Sequence, residues 1–345
     1  MAKTPRKIAD KRARKIVGKL APKGTDKATD KPADNPAGEP ARETSSKSPP
    51  RELATILDFI RYAATRFAAA NLAYGQGTFS PVEEATFLVA EALGLPVDGV
   101  DSFLPARMTA AECRHIFSLI DKRIRLRTPA AYLLNCAYLQ GTRFYIDERV
   151  IVPRSYLAEI LYGELFTNEE PLLDRHAVRH VLELCTGSGC LGVLACDIFP
   201  NAQVDATDIS EAALEVAAIN VATHDLKARV TLWKGDLFQP IADTTYDLIL
   251  ANPPYVAAKA VAALPPEFAH EPRLALSGGA DGMDIVRRIL AEAGRHLNDD
   301  GGLLCEVGRG RPVLERDYPD NDFLWLDTAA SAGEVFWMRA AALRE

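Results

Sequence analysis

"HVLELCTGSGCLGVLACDIF", residues 180–199, joins two apolar runs through a turn containing two glycines. The first run, Val181 to Leu184, reads as a buried strand ending at Cys185, and the second, from Cys190, reads as a helix. Gly187 and Gly189 let the backbone pass close to a ligand, while the helix start offers unpaired N–H groups. With Gly192 they satisfy G-x-G-x-x-G, and Asp208 follows about twenty residues on, at the next strand end, where a carboxylate can accept from ribose hydroxyls. By itself this is a nucleotide-cofactor signal. It does not separate a nicotinamide dinucleotide from S-adenosylmethionine.

Downstream, "QVDATD", "SEAALEVAAINVATH", "RVTLWKGD", "YDLILAN", "MDIVRRILAEAGRHL" and "GLLCEVG" continue the alternation of strand and helix. That is the grammar of an α/β doubly wound parallel sheet. "FLWLD" and "EVFWMRA" close the chain without a helical pattern between them, which predicts an antiparallel pair at one edge. Upstream, alternating apolar residues on either side of Gly141 predict a linking β-hairpin within residues 128–153. Residues 51–127 carry three amphipathic helical patterns, the second opening at Pro81 and the third after Thr109. The boundaries expected are therefore 51–127 for a helical domain, 128–153 for the hairpin and 154–345 for the α/β domain.

Residues 1–50 are different in kind. They hold seven prolines and 13 Lys+Arg against 6 Asp+Glu, a balance of +7, which leaves 27 against 41, or −14, for the rest. Such a basic, proline-rich segment predicts a disordered tail. A solvated extension is the favoured reading, and a weak RNA contact through the tail is the alternative. The apolar share of 48% and charged share of 25% are those of a globular protein. No stretch has the apolar length of a membrane span, and no secretory signal is read, so a cytoplasmic protein without membrane contact is expected. The six cysteines contain no C-x-x-C pair, and no metal site is expected; His270 and Glu271 read as part of a loop.

Two acids favour S-adenosylmethionine over a dinucleotide. Glu183, inside the first strand, is expected to face the cationic methionine end, where a pyrophosphate would be repelled. Asp236 in "KGDLF" ends the third strand, and with Leu237 and Phe238 it is expected to bracket an adenine. The fourth strand then stops at "NPPY", residues 252–255. Pro253 biases Asn252 toward an extended conformation, and each proline fixes its own φ. The Asn252 side-chain oxygen and the Pro253 carbonyl can each accept one hydrogen of a planar –NH2, with Tyr255 as an aromatic wall and Pro254 stiffening the segment. Neither an amide nor a ring-amino nitrogen can be deprotonated by an ordinary side chain near neutral pH, so orientation must do most of the work. These residues alone leave open whether the –NH2 belongs to an amide or to adenine.

From about Arg51 onward the chain resembles the HemK-type family of protein-glutamine methyltransferases. The resemblance lies in "TRFAAANLAYGQGT", "RTPAAYLLNCAYLQGTRFYIDERVIVPRS", "ELCTGSGC", "NPPYV" and "HEPRLALSGGADG". Cys185 stands where the family usually has glycine, and "VPRS" replaces the release-factor branch's P-R-P-x-T-E. Both features look like the branch acting on ribosomal protein uL3, although Tyr156 stands where proline is usual. The resemblance implies a seven-stranded, Rossmann-like S-adenosylmethionine-dependent methyltransferase sheet with an N-terminal helical substrate-recognition domain. It implies cofactor contacts from Glu183, Cys185, Thr186, Gly187, Ser188, Gly189, Asp208, Asp236 and Asn252. The glutamine amide would be held by Asn252, Pro253, Pro254 and Tyr255, with Asn252, Pro253 and Tyr255 catalytic; for Arg154 and Glu159, helping to close the site and forming a surface ion pair are equal readings. A release-factor methyltransferase is the first alternative, followed by an adenine amino-methyltransferase and a non-catalytic ribosome-assembly factor.

Overall fold

Thr55 and Thr109 each stand one residue before an apolar periodic run, with an acid three residues on, and both form reciprocal capping boxes. The computed structural model describes residues 48–344 apart from 169, 170 and 242. Nearly all of the basic tail, and with it the RNA contact considered above, lies outside the described residues. The rest divides into two compact units: the described residues up to Tyr74 with Thr78–Ala130, and Gly75–Gly77 with Ala131–Glu345.

The first unit is built on helices α1 (Ile56–Ala69), α2 (Pro81–Ala92) and α3 (Ala110–Leu126). Ser80 accepts from the Glu83 N–H at 3.1 Å, and Pro81 follows at the first helical position, where its missing N–H costs nothing. Phe59, Ala63 and Phe67 of α1, Leu88 and Val89 of α2, and Ile116 and Ile120 of α3 are buried at helical spacing. Arg123 is buried as well, at 1% exposure. Its Nε donates to both oxygens of Glu84 at 3.1 Å, and its remaining nitrogens donate to the carbonyls of Ala73 and Arg127. A buried charge survives only when paired and bonded in this way.

In the second unit, β1 (Ala137–Leu139) and β2 (Thr142–Phe144) pair antiparallel. Gln140 and Gly141 turn between them at φ 51° and 75°, the left-handed pair that suits a two-residue hairpin. The short helix α4 (Tyr156–Leu161) follows. The main sheet contains β3 (His180–Leu184), β4 (Gln203–Asp208), β5 (Val230–Lys234), β6 (Tyr246–Ala251), β7 (Leu297–Glu306), β8 (Leu324–Leu326) and β9 (Val335–Arg339). Their order is β5-β4-β3-β6-β7-β9-β8. The first five are parallel and β9 runs antiparallel to both neighbours. The edge pair is as expected, but β9 inserts between β7 and β8, an order that periodicity does not carry. Helices α5 (Cys190–Ile198), α6 (Glu211–Thr223), α7 (Asp284–Ala293) and α8 (Arg311–Asp317) complete the α/β alternation.

Alternate residues of the central strands fill two cores. Val181, Leu248, Leu250 and Leu304 pack with α4 and α5, while Leu182, Leu184, Ile249, Leu303 and Cys305 pack with α7. The order reverses at β3, whose neighbours are β4 and β6, so a crevice opens at the carboxyl ends of these strands.

Candidate active site

That crevice is a cavity of about 200 Å³. Cys185 and Gly187 line it from the turn after β3, Asp208 from β4, Asp236 from the end of β5 and Asn252 from the end of β6. The glycines of the first turn have separate reasons to be glycine. Gly187 has φ 54°, and a Cβ there would meet no protein atom within 4 Å, so the turn leaves room for a ligand. At Gly189 a Cβ would lie 3.1 Å from that of Ala217, and at Gly192 2.7 Å from a Glu183 oxygen. Cys185 itself has φ 56°, which accounts physically for the glycine usual at this place.

Asp208 accepts from the Gly187 N–H and the Ser210 N–H, both at 2.8 Å. Burial raises its carboxyl above the usual range, opposed by those two bonds. Among the described residues no cation pairs with it. Arg149, at the mouth, is already committed to Asp147 and Glu215, and Arg288 donates to Asp236 at 2.8 Å. An uncompensated carboxylate beside Gly187, with the apolar side chains of Ile209, Leu237, Leu274 and Ile285 around it, fits a cation carrying ribose hydroxyls and a flat heterocycle.

Seven expected residues, Glu183, Thr186, Ser188, Gly189, Phe238, Pro253 and Tyr255, do not line the cavity. Glu183 is 2% exposed and does not line the cavity; its Oε2 accepts from the Thr186 hydroxyl and from the Gly192 N–H at 3.0 Å. It braces the turn from beneath, because its strand position faces α5, and burial pushes its carboxyl up to about 8. Phe238 stacks on His296 at 4.6 Å in the core, so that Leu237 alone of that pair reaches the cavity. Tyr255 does not line it either: its hydroxyl donates to Glu306 at 2.8 Å. Thr186, Ser188 and Gly189 shape the turn, Thr186 and Ser188 being buried.

The corner after β6 is held on several sides. The Val256 N–H donates to the Leu276 carbonyl at 2.9 Å, and the Gly278 N–H donates back to Val256 at 3.0 Å. Glu306 also accepts from the Ser155 hydroxyl at 2.7 Å and the Tyr156 N–H at 2.8 Å. Pro253 is buried, Pro254 lines the cavity, and the Asn252 side-chain amide makes no hydrogen bond among the described residues. Arg154 forms a two-pronged pair with Glu271, and Glu159 accepts from the Ala329 N–H, so neither projects free. His270 approaches Glu148 at 3.3 Å. No cluster of three or more metal-ligating side chains occurs among the described residues. Arg149, Ile209, Leu274, Ile285 and Arg288 were not anticipated; two of them, Ile209 and Leu274, are more than half exposed, an apolar signal visible only once the strand ends converge.

Residues 170–279 match the Methyltransferase small domain family. Over 85% of this chain and 92% of its own length, a ribosomal protein uL3 glutamine methyltransferase of Bradyrhizobium diazoefficiens is 55% identical. The chain belongs to the ribosomal protein uL3 glutamine methyltransferase family. Members from Bordetella pertussis (49% identity, 83% of this chain and 95% of that one) and Burkholderia pseudomallei (46%, 85% and 97%) carry the same description. The chain is thus a methyltransferase, with S-adenosylmethionine as its methyl donor. No helix among the described residues is long and apolar enough to cross a membrane.

Proposed function

We infer that this chain transfers a methyl group from S-adenosylmethionine to the side-chain amide nitrogen of a glutamine in ribosomal protein uL3, in the cytoplasm, with the helical unit reading the protein substrate. The observation that carries the reading is the unpaired Asn252 amide, held beside two prolines at the lip of the cavity that Asp208 and Asp236 line. The family description supports the choice of acceptor.

The donor, when bound, supplies an electrophilic methyl carbon on a sulfonium. Asp208 would accept from the ribose, Leu237 and Ile285 would wall the adenine near Asp236, and Gly187 allows the main chain to come close. Asn252 would accept one hydrogen of the glutamine –NH2 through its oxygen, turning the nitrogen toward the methyl. Such orientation can supply roughly 7 to 11 kcal/mol of the barrier, and an acceptor fixed beforehand also stabilises the positive charge growing on nitrogen. Asn252 has no basic nitrogen, so its part is alignment: as the N–CH3 bond forms and the S–CH3 bond breaks to leave the neutral thioether, the surplus N–H proton would pass to water and not to this side chain.

Purified protein with labelled S-adenosylmethionine, offered uL3, release factors and an adenine-containing oligonucleotide separately, tests the reading. Label on a glutamine of uL3 is expected. Label on the release factors alone, or on adenine, would overturn the choice of acceptor.

A further inference from the structure

Asn220 lies on α6 with no solvent exposure, and the cofactor chemistry above makes no use of it. Its Oδ1 accepts from the Tyr145 N–H at 2.8 Å, while its Nδ2 donates to the Tyr145 carbonyl at 2.9 Å and to the Ser188 carbonyl at 2.8 Å. One donor facing Oδ1 and two carbonyls facing Nδ2 fix the orientation of the amide. Ser188 belongs to the glycine turn. Tyr145 begins residues 145–151, of which Arg149, Val150 and Ile151 line the cavity. Two other residues of α6 act on the same parts: Ala217 lies where a side chain at Gly189 would have to go, and Glu215 accepts from Arg149 at 2.7 Å.

The geometry points to Asn220 as a positioning residue for cofactor binding, its single amide setting the spacing between the glycine turn and the wall formed by residues 145–151. This rests on the methyl donor of the family and not on which glutamine accepts the methyl group. Asn220→Asp preserves shape but turns an oxygen toward two carbonyls, so both bonds from Nδ2 are lost. Asn220→Ser removes the same bonds without adding charge. For either variant the dissociation constants of S-adenosylmethionine and S-adenosylhomocysteine should rise about ten- to a hundred-fold, with kcat at saturating cofactor within about threefold of the parent.

The control is Val221→Ala, at the next position, buried in the core and absent from the cavity lining. It should lower the melting temperature at least as far while leaving cofactor affinity within about threefold. Calorimetric titration without any methyl acceptor gives the constants, so the outcome is independent of the substrate assignment. Unaltered affinity in both Asn220 variants would overturn the proposal. So would an equal loss of affinity in Val221→Ala, since the role of Asn220 would then be one of general stability.

Discussion

Glu183→Gln separates two roles for the acid at the heart of the first strand. If the carboxylate served the cationic end of the cofactor, neutralising it would weaken binding. In the structure it is sealed beneath the turn, accepting from Thr186 and Gly192, and an amide oxygen can accept the same two bonds. Burial holds its carboxyl at about 8 against an ordinary 4.5, so the folded chain keeps a proton that the unfolded chain loses. The associated stability is fully present below the ordinary value and is lost as pH rises through about 8. Each pH unit between the two values costs about 1.4 kcal/mol. From about pH 6 to pH 9 the parent should therefore lose roughly 2 to 3 kcal/mol relative to Glu183→Gln, the decline flattening above the folded value. Urea unfolding of both proteins across that range measures the gap, and subtracting the two curves cancels every other titrating group. S-adenosylmethionine affinity of the variant should stay within about threefold. Parallel stability curves, or a tenfold loss of affinity, would refute the reasoning and return the carboxylate to the cofactor.

Asn252→Ala should bind S-adenosylmethionine within a few fold of the parent while kcat falls on the order of 100- to 1,000-fold, because the acceptor acts on the reacting nitrogen; single-turnover assays on uL3 decide it, and an unchanged rate would remove the amide from the mechanism. Cys185→Gly relieves a left-handed residue, a gain of about 1 kcal/mol that the greater freedom of glycine when unfolded offsets in part. Chemical denaturation should show a change of no more than about 1 kcal/mol, whereas a larger loss would mean that thiol packing dominates. Glu84→Ala leaves the Arg123 guanidinium in the helical core with carbonyl acceptors but no counter-charge and should cost about 3 to 5 kcal/mol, read as a fall in the unfolding midpoint.

The central parallel strands were legible because they are buried on both faces and read as short apolar runs, as in residues 248–251 between turn residues, whereas β4 and the edge strand β5 had to be read from the alternation around them. Apolar spacing, with Pro81 and the cap residue Thr109 at two of the starts, made the helices legible in the same local way. The position of β9 was not, since the order of antiparallel neighbours depends on long-range pairing. Nor was the face of Glu183: a strand inside a two-sided core gives no alternation from which to tell cavity from helix. Asp208, Asp236 and Asn252 share a strand-end address that the alternation of elements already implied, and all three line the cavity. Ile209, Leu274 and Ile285 come from loops and a helix with no common spacing, so only the folded chain brings them together.

Rigidity at the acceptor corner has more than one source, which bears on what Tyr255 is for. Two prolines fix φ, the Val256 main chain is bonded on both sides to residues 276–278, and the Tyr255 hydroxyl is tied to Glu306. Glu306 is 1% exposed, burial raises its carboxyl, and the bonds from Ser155, Tyr255 and Tyr156 offset that cost. A carboxylate held so deeply, with its lone pairs directed at Tyr255 and at the start of α4, couples the acceptor corner to the residues after the hairpin. The Tyr255 hydroxyl therefore ties the segment that follows Asn252 to the buried Glu306. Ties on the main chain and on Tyr255 restrict where the Asn252 side chain can reach, which is the demand that aligning a weak nucleophile makes.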